Sequence, residues 1–103
     1  MATINWTREA GLWLRDIYDY ISQDNPSAAA SVVNGIYERA QVLISHPEIG
    51  HRYERVENRD IRILLYGHYR IVYLIKHNGD IDILGVFHGA MQTSRYLFDG
   101  NRA

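Results

Sequence analysis

The spacing of apolar residues changes once along this 103-residue chain, and that change limits the folds it can adopt. In the first half, apolar residues recur at every third or fourth position, which places their side chains on one face of an α-helix. In the second half they alternate with other residues, the spacing of a β-strand with one buried face. The chain therefore combines helices that come first with a sheet that comes later, an α+β organisation.

Two helices are predicted in the first half. Thr7 can cap the first, because its hydroxyl can accept a hydrogen bond from a backbone N–H that has no partner inside the helix. Asn25 can cap the second, and Pro26 suits the first helical position, where no N–H is needed. The second helix should end near Ser45, since Pro47 disfavours helical geometry in the residue before it. The short link predicts an antiparallel hairpin with this apolar lining: Ala10, Leu14, Ile17, Ile21, Ala29, Val32, Val33, Ile36, Ala40 and Leu43.

Three strands are predicted in the second half, separated by turns at Gly67-His68 and Asn78-Gly79. Asn-Gly favours a tight hairpin turn, because both of its positions need positive φ. Thr3 to Trp6 is short and favours extended structure, which indicates a further strand at the sheet edge. The expected fold is β-α-α-β-β-β, with the helix hairpin packed on one face of a mainly antiparallel four-stranded sheet.

Strict alternation divides the strand residues between two faces. The face that we expect the helices to cover is almost wholly apolar: Ile61, Ile63, Leu65, Tyr69, Ile71, Tyr73, Ile75, Ile81, Ile83 and Phe87. The opposite face mixes aliphatic and charged side chains: Arg62, Leu64, Tyr66, Arg70, Val72, Leu74, Lys76, Asp82, Leu84, Val86 and His88. The core prediction is that three strand residues, Ile71, Tyr73 and Ile83, pack against Leu14, Ile17, Ile36 or Ala40.

The mixed face needs a cover, because both helices are used on the other side. A contiguous apolar patch on a small protein usually marks a partner site. We therefore predict that a partner binds through one set of residues on this face: Leu64, Arg70, Val72, Leu74, Leu84 and Val86. The alternative is that the tail, residues 91–103, folds back over the face through Tyr96, Leu97 and Phe98, and both arrangements can hold in different regions.

The composition limits the function classes. The length fits one domain, residues 1–103, with a tail that is either flexible or bound to a partner. No cysteine is present, which excludes disulfides and cysteine-based zinc sites and suits a cytoplasmic protein. No apolar run approaches the ~20 residues that span a membrane, so no membrane association is expected. The five histidines show no metal-ligand spacing, so we expect neither a metal nor another cofactor.

Several short motifs follow one another along the chain in an order and spacing that indicate a family. They are Trp6-Thr7, Asp24-Asn25-Pro26 with Ala28-Ala29, Leu43 with His46-Pro47-Glu48-Ile49-Gly50, Tyr69-Arg70-Ile71-Val72-Tyr73, Ile83-Leu84, Val86 and His88-Gly89-Ala90. From about Trp6 to Ala90 the chain resembles the ParE toxins of the ParE/RelE toxin–antitoxin superfamily. Members of that family often carry arginine directly after His-Gly-Ala, where this chain has Met91.

The resemblance implies a toxin of a type II toxin–antitoxin system, wrapped by a ParD-like antitoxin. Two targets follow from it, because ParE toxins are described as poisoning DNA gyrase, whereas RelE-type relatives cleave mRNA on the ribosome. Fold alone cannot choose between these targets. The net charge of −1 favours gyrase, since dedicated nucleic-acid binders are usually strongly basic. We also expect no sequence-specific DNA binding by this chain alone.

Ribonuclease chemistry would require groups that activate the ribose hydroxyl, protonate the leaving oxygen and neutralise the phosphate. Arg62, Arg70 and His88 on the mixed face could supply them, with Tyr66 near one end. The resemblance implies that Arg70 occupies a position where some ribonuclease relatives carry a phosphate-stabilising arginine. The alternative interpretation is that Arg70 pairs with Asp82 or with an antitoxin carboxylate. On the gyrase hypothesis we assign no catalytic residue.

Overall fold

The computed structural model describes residues 2–53 and 58–89, and its first helix, α1, spans Arg8–Ser22. As predicted, Thr7 caps this helix, because its hydroxyl oxygen accepts a hydrogen bond from the Ala10 N–H at 3.2 Å. The same hydroxyl donates to the Ile83 carbonyl at 2.6 Å. The start of α1 is therefore fixed both locally and by the sheet.

The second helix, α2, spans Pro26–Ala40 and is capped by Asn25, whose side-chain oxygen accepts from the Ala28 N–H at 3.1 Å. A 3-10 turn, Gln41–Ile44, prolongs it toward Pro47. Because only residues 23–25 separate the two helices and the helices contact each other, they form the predicted hairpin.

The sheet has five strands: β1 Ile4–Trp6, β2 His51–Arg52, β3 Asp60–Tyr66, β4 Tyr69–Ile75 and β5 Ile81–His88. Their spatial order is β1-β5-β4-β3-β2. β1 pairs with β5 in parallel, and every other pairing is antiparallel. The predicted α+β class and edge strand are confirmed. The strand β2 is not predicted from the sequence, because it lies in a polar segment with no apolar alternation.

The turn between β3 and β4 fixes which β3 residues face the helices. It contains only Gly67 and His68, with Gly67 at a positive φ of 57°, and it pairs Tyr66 directly with Tyr69. Residues directly opposite each other on paired strands share a face. Alternate residues of β3 therefore join the helix-facing residues of β4: Arg62, Leu64 and Tyr66.

The predicted assignment of β3 to its faces is therefore wrong. Ile61, Ile63 and Leu65 lie on the face away from the helix hairpin, which we call the second face. The physical reason is that both sets of alternating residues in β3 are apolar enough to be buried. The sequence of the strand therefore does not indicate which set faces the helices. Leu64, a predicted partner contact, is 3% exposed and belongs to the helix-side core.

An irregularity in β5 overturns the prediction for its second half. Val72 pairs with Gly85, whereas the next residue of β4, Tyr73, pairs with Ile83, so Leu84 is an extra residue. A bulge of this kind reverses the alternation beyond it. Val86 and His88 consequently share the helix-facing side, and Phe87 lies on the second face. Val86, another predicted partner contact, is fully buried in the helix-side core.

The helix-side core confirms the central packing prediction. Ile71, Tyr73 and Ile83 are fully buried in one cluster with Ile36 and Ala40. Leu14 and Ile17 of α1 pack against the same cluster. A second cluster, on the second face, consists of Ile61, Ile63, Val72 and Phe87.

The turn between β4 and β5 is longer than the predicted two-residue Asn-Gly turn. Its five residues are 76–80, closed by a hydrogen bond from the Lys76 N–H to the Asp80 carbonyl at 2.8 Å. Gly79 has a positive φ of 92°, but Asn78 is not among the described residues with positive φ. The Asn78 side-chain oxygen instead accepts from the Asp80 N–H at 2.9 Å. This local hydrogen bond supports the longer turn.

Two glycines lie inside helices, and the sequence leaves open whether they permit close packing or are tolerated defects. The structure distinguishes them. A Cβ at Gly35 would overlap the Tyr66 hydroxyl and lie 2.6 Å from Cζ of the same ring, whereas a Cβ at Gly11 would meet nothing within 4 Å. Gly35 therefore makes room for a β3 side chain rather than for the other helix.

We expect Gly35→Ala to destabilise the protein by about 1–2 kcal/mol, since displacing the Tyr66 ring costs more than the gain in helix propensity. Gly11→Ala is the matched control and should stabilise by about 0.5–1 kcal/mol. Urea unfolding measures both. Equal stabilisation by the two substitutions would contradict the packing of Tyr66 on Gly35.

Candidate functional site

Arg62 anchors the loop that follows the helix hairpin. Its guanidinium donates to the carbonyls of Glu48 and Gly50 at 3.1 and 3.0 Å, and its Nε donates to the Asp60 carboxylate at 2.9 Å. The side chain is only 17% exposed. Arg62 is thus held in a structural role, on the helix-facing side and not on the second face where the sequence placed it.

Tyr73 anchors the same loop from the neighbouring strand. Its hydroxyl donates to the Pro47 carbonyl at 2.7 Å and accepts from the Gly50 N–H at 3.0 Å. Burial raises the pKa of this hydroxyl, and the Gly50 hydrogen bond opposes that shift. Arg62 and Tyr73 together form what we call the loop anchor.

The anchored loop presents an apolar surface. Ile49 is 50% exposed, and His46, Pro47, Glu48 and Ile49 line a cavity of about 470 Å³. Because the backbone on both sides of Ile49 is hydrogen-bonded to buried side chains, this side chain is presented from a fixed backbone.

The second face carries four of the six predicted partner contacts. Val72 is fully buried, and Leu74 and Leu84 pack at the margin of its cluster. Trp13 of α1 reaches the same cluster, where its ring meets Phe87 edge-on at 4.7 Å, and Tyr53 also packs there. Arg70 belongs to this face, opposite Phe87 in β5. Trp13 and Tyr53 therefore cover part of the second face, which the strand alternation could not indicate because neither residue lies in β3, β4 or β5. The predicted cover by the tail lies outside the described residues.

The end of the sheet at the β3–β4 turn gathers polar side chains around a depression of about 290 Å³, which we call the turn-end depression. It is lined by Leu65, Gly67, His68, Tyr69, Arg70, His88 and Gly89. The rings of His68 and His88 lie 6.1 Å apart and nearly parallel, and Tyr69 meets His88 edge-on at 5.7 Å. The sequence assigned His68 only to a turn, because nothing local indicates that it meets His88.

The structure does not bring the three ribonuclease candidates together. Arg62 is opposite Tyr73 and His88 is opposite Tyr69, so they lie roughly 13 Å apart along the strands. Arg70 lies near His88 but projects from the other face.

The proposed pairing of Arg70 with Asp82 is also wrong. Asp82 is opposite Leu74, at the far end of β4, and its carboxylate lies 3.6 Å from the Lys76 ammonium. Asn5 also donates to that carboxylate, at 3.2 Å.

No helix within residues 2–53 and 58–89 is long and apolar enough to cross a membrane. Within the same ranges, no three histidine, cysteine, aspartate or glutamate side chains are grouped so that they could hold a metal ion.

The arrangement of two helices on this sheet is similar to that of chains in solved toxin–antitoxin systems. It matches the chromosomal ParDE toxin–antitoxin system of P. aeruginosa with a TM-score of 0.70 and 26% identity, over 85% of this chain and 96% of that one. It matches the toxin–antitoxin complex RelBE2 of Mycobacterium tuberculosis with a TM-score of 0.58 and 25% identity, over 84% and 96% of the two chains.

Sequence comparisons identify the family to which the chain belongs. The model of the ParE toxin of the type II toxin–antitoxin system parDE matches residues 4–93. Y4kP of Sinorhizobium fredii, described as a candidate toxin, is 35% identical over 94 residues, which cover 91% of this chain and 95% of the relative. The chain belongs to the ParE toxin family.

We expect Tyr73→Phe to destabilise the protein by about 1–3 kcal/mol, because it leaves the Gly50 N–H and the Pro47 carbonyl without their partner. Urea unfolding gives the loss, and hydrogen exchange at the Gly50 amide should accelerate. Tyr20→Phe, at a side chain 77% exposed, should change neither quantity. An unchanged Gly50 exchange rate in Tyr73→Phe would refute the loop anchor.

Proposed function

We propose that this protein is a cytoplasmic toxin that a ParD-like antitoxin holds inactive, and that the released toxin inhibits DNA gyrase by protein–protein contact. The family match over residues 4–93 carries the proposal, because its description places the ParE toxin in a parDE pair. The neighbouring structures, which are toxin–antitoxin systems by their titles, support an antitoxin partner.

The position of Arg62 supports gyrase over mRNA as the target. Cleavage of RNA needs an acid, a base and a cation that converge on one phosphate. Arg62 is instead occupied by the carbonyls of Glu48 and Gly50 and by Asp60, and His88 lies at the other end of the strands. The net charge of −1 agrees with a protein target.

The second face is the surface that we propose for the antitoxin. Leu74 and Leu84 lie at the margin of an apolar cluster, and Arg70 adds a positive charge at the turn end. Antitoxin segments that fold on binding can cover such an elongated strip. Leu64 and Val86 drop out of this surface, because both are buried in the helix-side core.

Leu74→Asp should weaken the complex with the antitoxin encoded beside the toxin gene at least about tenfold, since it places a charge within the apolar contact. Calorimetric titration measures the affinity, and circular dichroism checks that the toxin stays folded. Leu12→Asp, at an α1 side chain 48% exposed, is the control for an added carboxylate. Equal affinity for both folded variants would move the interface away from the second face.

Purified toxin should block DNA supercoiling by gyrase and leave translation in a cell-free extract intact. Arg70→Ala combined with His88→Ala should preserve gyrase inhibition in a folded variant, because neither residue is assigned to gyrase contact. Supercoiling assays and message-cleavage assays run in parallel give the answer. If the unmodified toxin cuts messages on ribosomes and the double variant does not, the target is mRNA and gyrase is excluded.

A further inference from the structure

The turn-end depression is built on a fixed backbone. The Gly89 N–H donates to the His68 carbonyl at 2.6 Å, which continues the pairing of β4 with β5 past the end of the strands. His88 is held opposite Tyr69 in the same ladder. The positions of both histidines therefore follow from main-chain hydrogen bonds rather than from contacts between the rings.

The described residues around this depression carry charge of one sign. Arg70 contributes a permanent positive charge, His68 and His88 contribute imidazole donors, and none of the described lining residues is acidic. Arg39 of α2 adds a further cation at the margin, where its Nε donates to the Leu65 carbonyl at 3.2 Å.

The acidic residues of the sheet lie at its opposite end. Asp60 is opposite Ile75, and Asp82 is opposite Leu74, both at the far end of β4. Asp80 precedes β5, where the Thr3 N–H donates to its carboxylate and lowers its pKa. The carboxylates of the sheet are therefore far from the turn-end depression, and Arg52, Arg62 and Lys76 pair with Asp60 and Asp82 at that opposite end.

We propose that the turn-end depression binds carboxylate side chains from an acidic segment of the antitoxin. The inference rests on the proposed toxin function and adds the chemistry of the partner. A carboxylate suits this site because Arg70 offers a planar pair of donors and the imidazoles of His68 and His88 offer further donors in the same lining. An acidic protein segment fits better than RNA, because the whole chain carries a net charge of −1 and three other cations, Arg52, Arg62 and Lys76, are already paired with carboxylates at the other end of the sheet.

The first experiment probes the site without the antitoxin. A hexaglutamate peptide is titrated into the folded toxin, with hexaglutamine as the uncharged control, and the amide resonances are followed by NMR. Hexaglutamate alone should shift the resonances of residues 67–70, 88 and 89, and Arg70→Gln should abolish the shifts. Shifts confined to other residues, or the same shifts with hexaglutamine, would overturn the proposal.

The second experiment measures the affinity for the antitoxin encoded beside the toxin gene. Arg70→Gln should weaken binding roughly fivefold, and His68→Ala with His88→Ala should weaken it about two- to fivefold. His77→Ala, at an exposed residue of the β4–β5 turn, is the control and should leave the affinity unchanged.

The outcomes separate this inference from the proposed function. If the unmodified toxin and all variants bind the antitoxin equally, the carboxylate site is refuted and the toxin–antitoxin pair stands. If the antitoxin does not bind at all while hexaglutamate does, the proposed partner fails and the site stands. Tighter binding of an oligouridine than of hexaglutamate, lost in Arg70→Gln, would overturn the carboxylate assignment in favour of RNA.

Discussion

The two-residue turn at Gly67 and His68 is the constraint on which most of this structure depends. It pairs Tyr66 with Tyr69 and so sets the register of the whole β3–β4 hairpin. A shift by one residue would turn every β3 side chain to the other face. The register brings Arg62 beside Tyr73 under the Pro47–Gly50 loop, and it places Tyr66 over Gly35. One tight turn therefore determines both the packing of α2 and the anchoring of the loop.

The sequence predicts the features whose causes are local. Thr7, Asn25 and Pro26 act on the residues next to them, and the helices begin where these residues indicate. The faces of β3 and β5 depend on distant pairing, and alternation within one strand contains no information about it. The two-residue turn does contain that information, because it fixes Tyr66 opposite Tyr69. The bulge at Leu84 has no comparable signal, since Gly85 also fits a regular strand.

The candidate site also combines features that the sequence predicts with features that depend on pairing between distant strands. Resemblance identifies the family, and four of the predicted partner contacts, Arg70, Val72, Leu74 and Leu84, share the second face, where Val72 is fully buried. Arg62 is an arginine in a strand by sequence, but three-dimensional pairing makes it a loop anchor. The meeting of His68 with His88 needs the β4–β5 register and is not visible from their twenty-residue separation. Contacts between side chains on different strands become visible only in the structure, whereas features within one segment can be predicted from the sequence.

The outer edge of β3 bears on whether two copies of the toxin can pair through their sheets. An open strand edge is a template on which a second copy can add. Here the Ile61 carbonyl accepts from the Tyr53 N–H at 2.7 Å, β2 pairs with Arg62 and Ile63, and Arg39 occupies the Leu65 carbonyl. A short strand and one arginine thus stand where another chain would have to pair. A second copy of the toxin therefore cannot add a strand at this edge of β3, even when no antitoxin is bound.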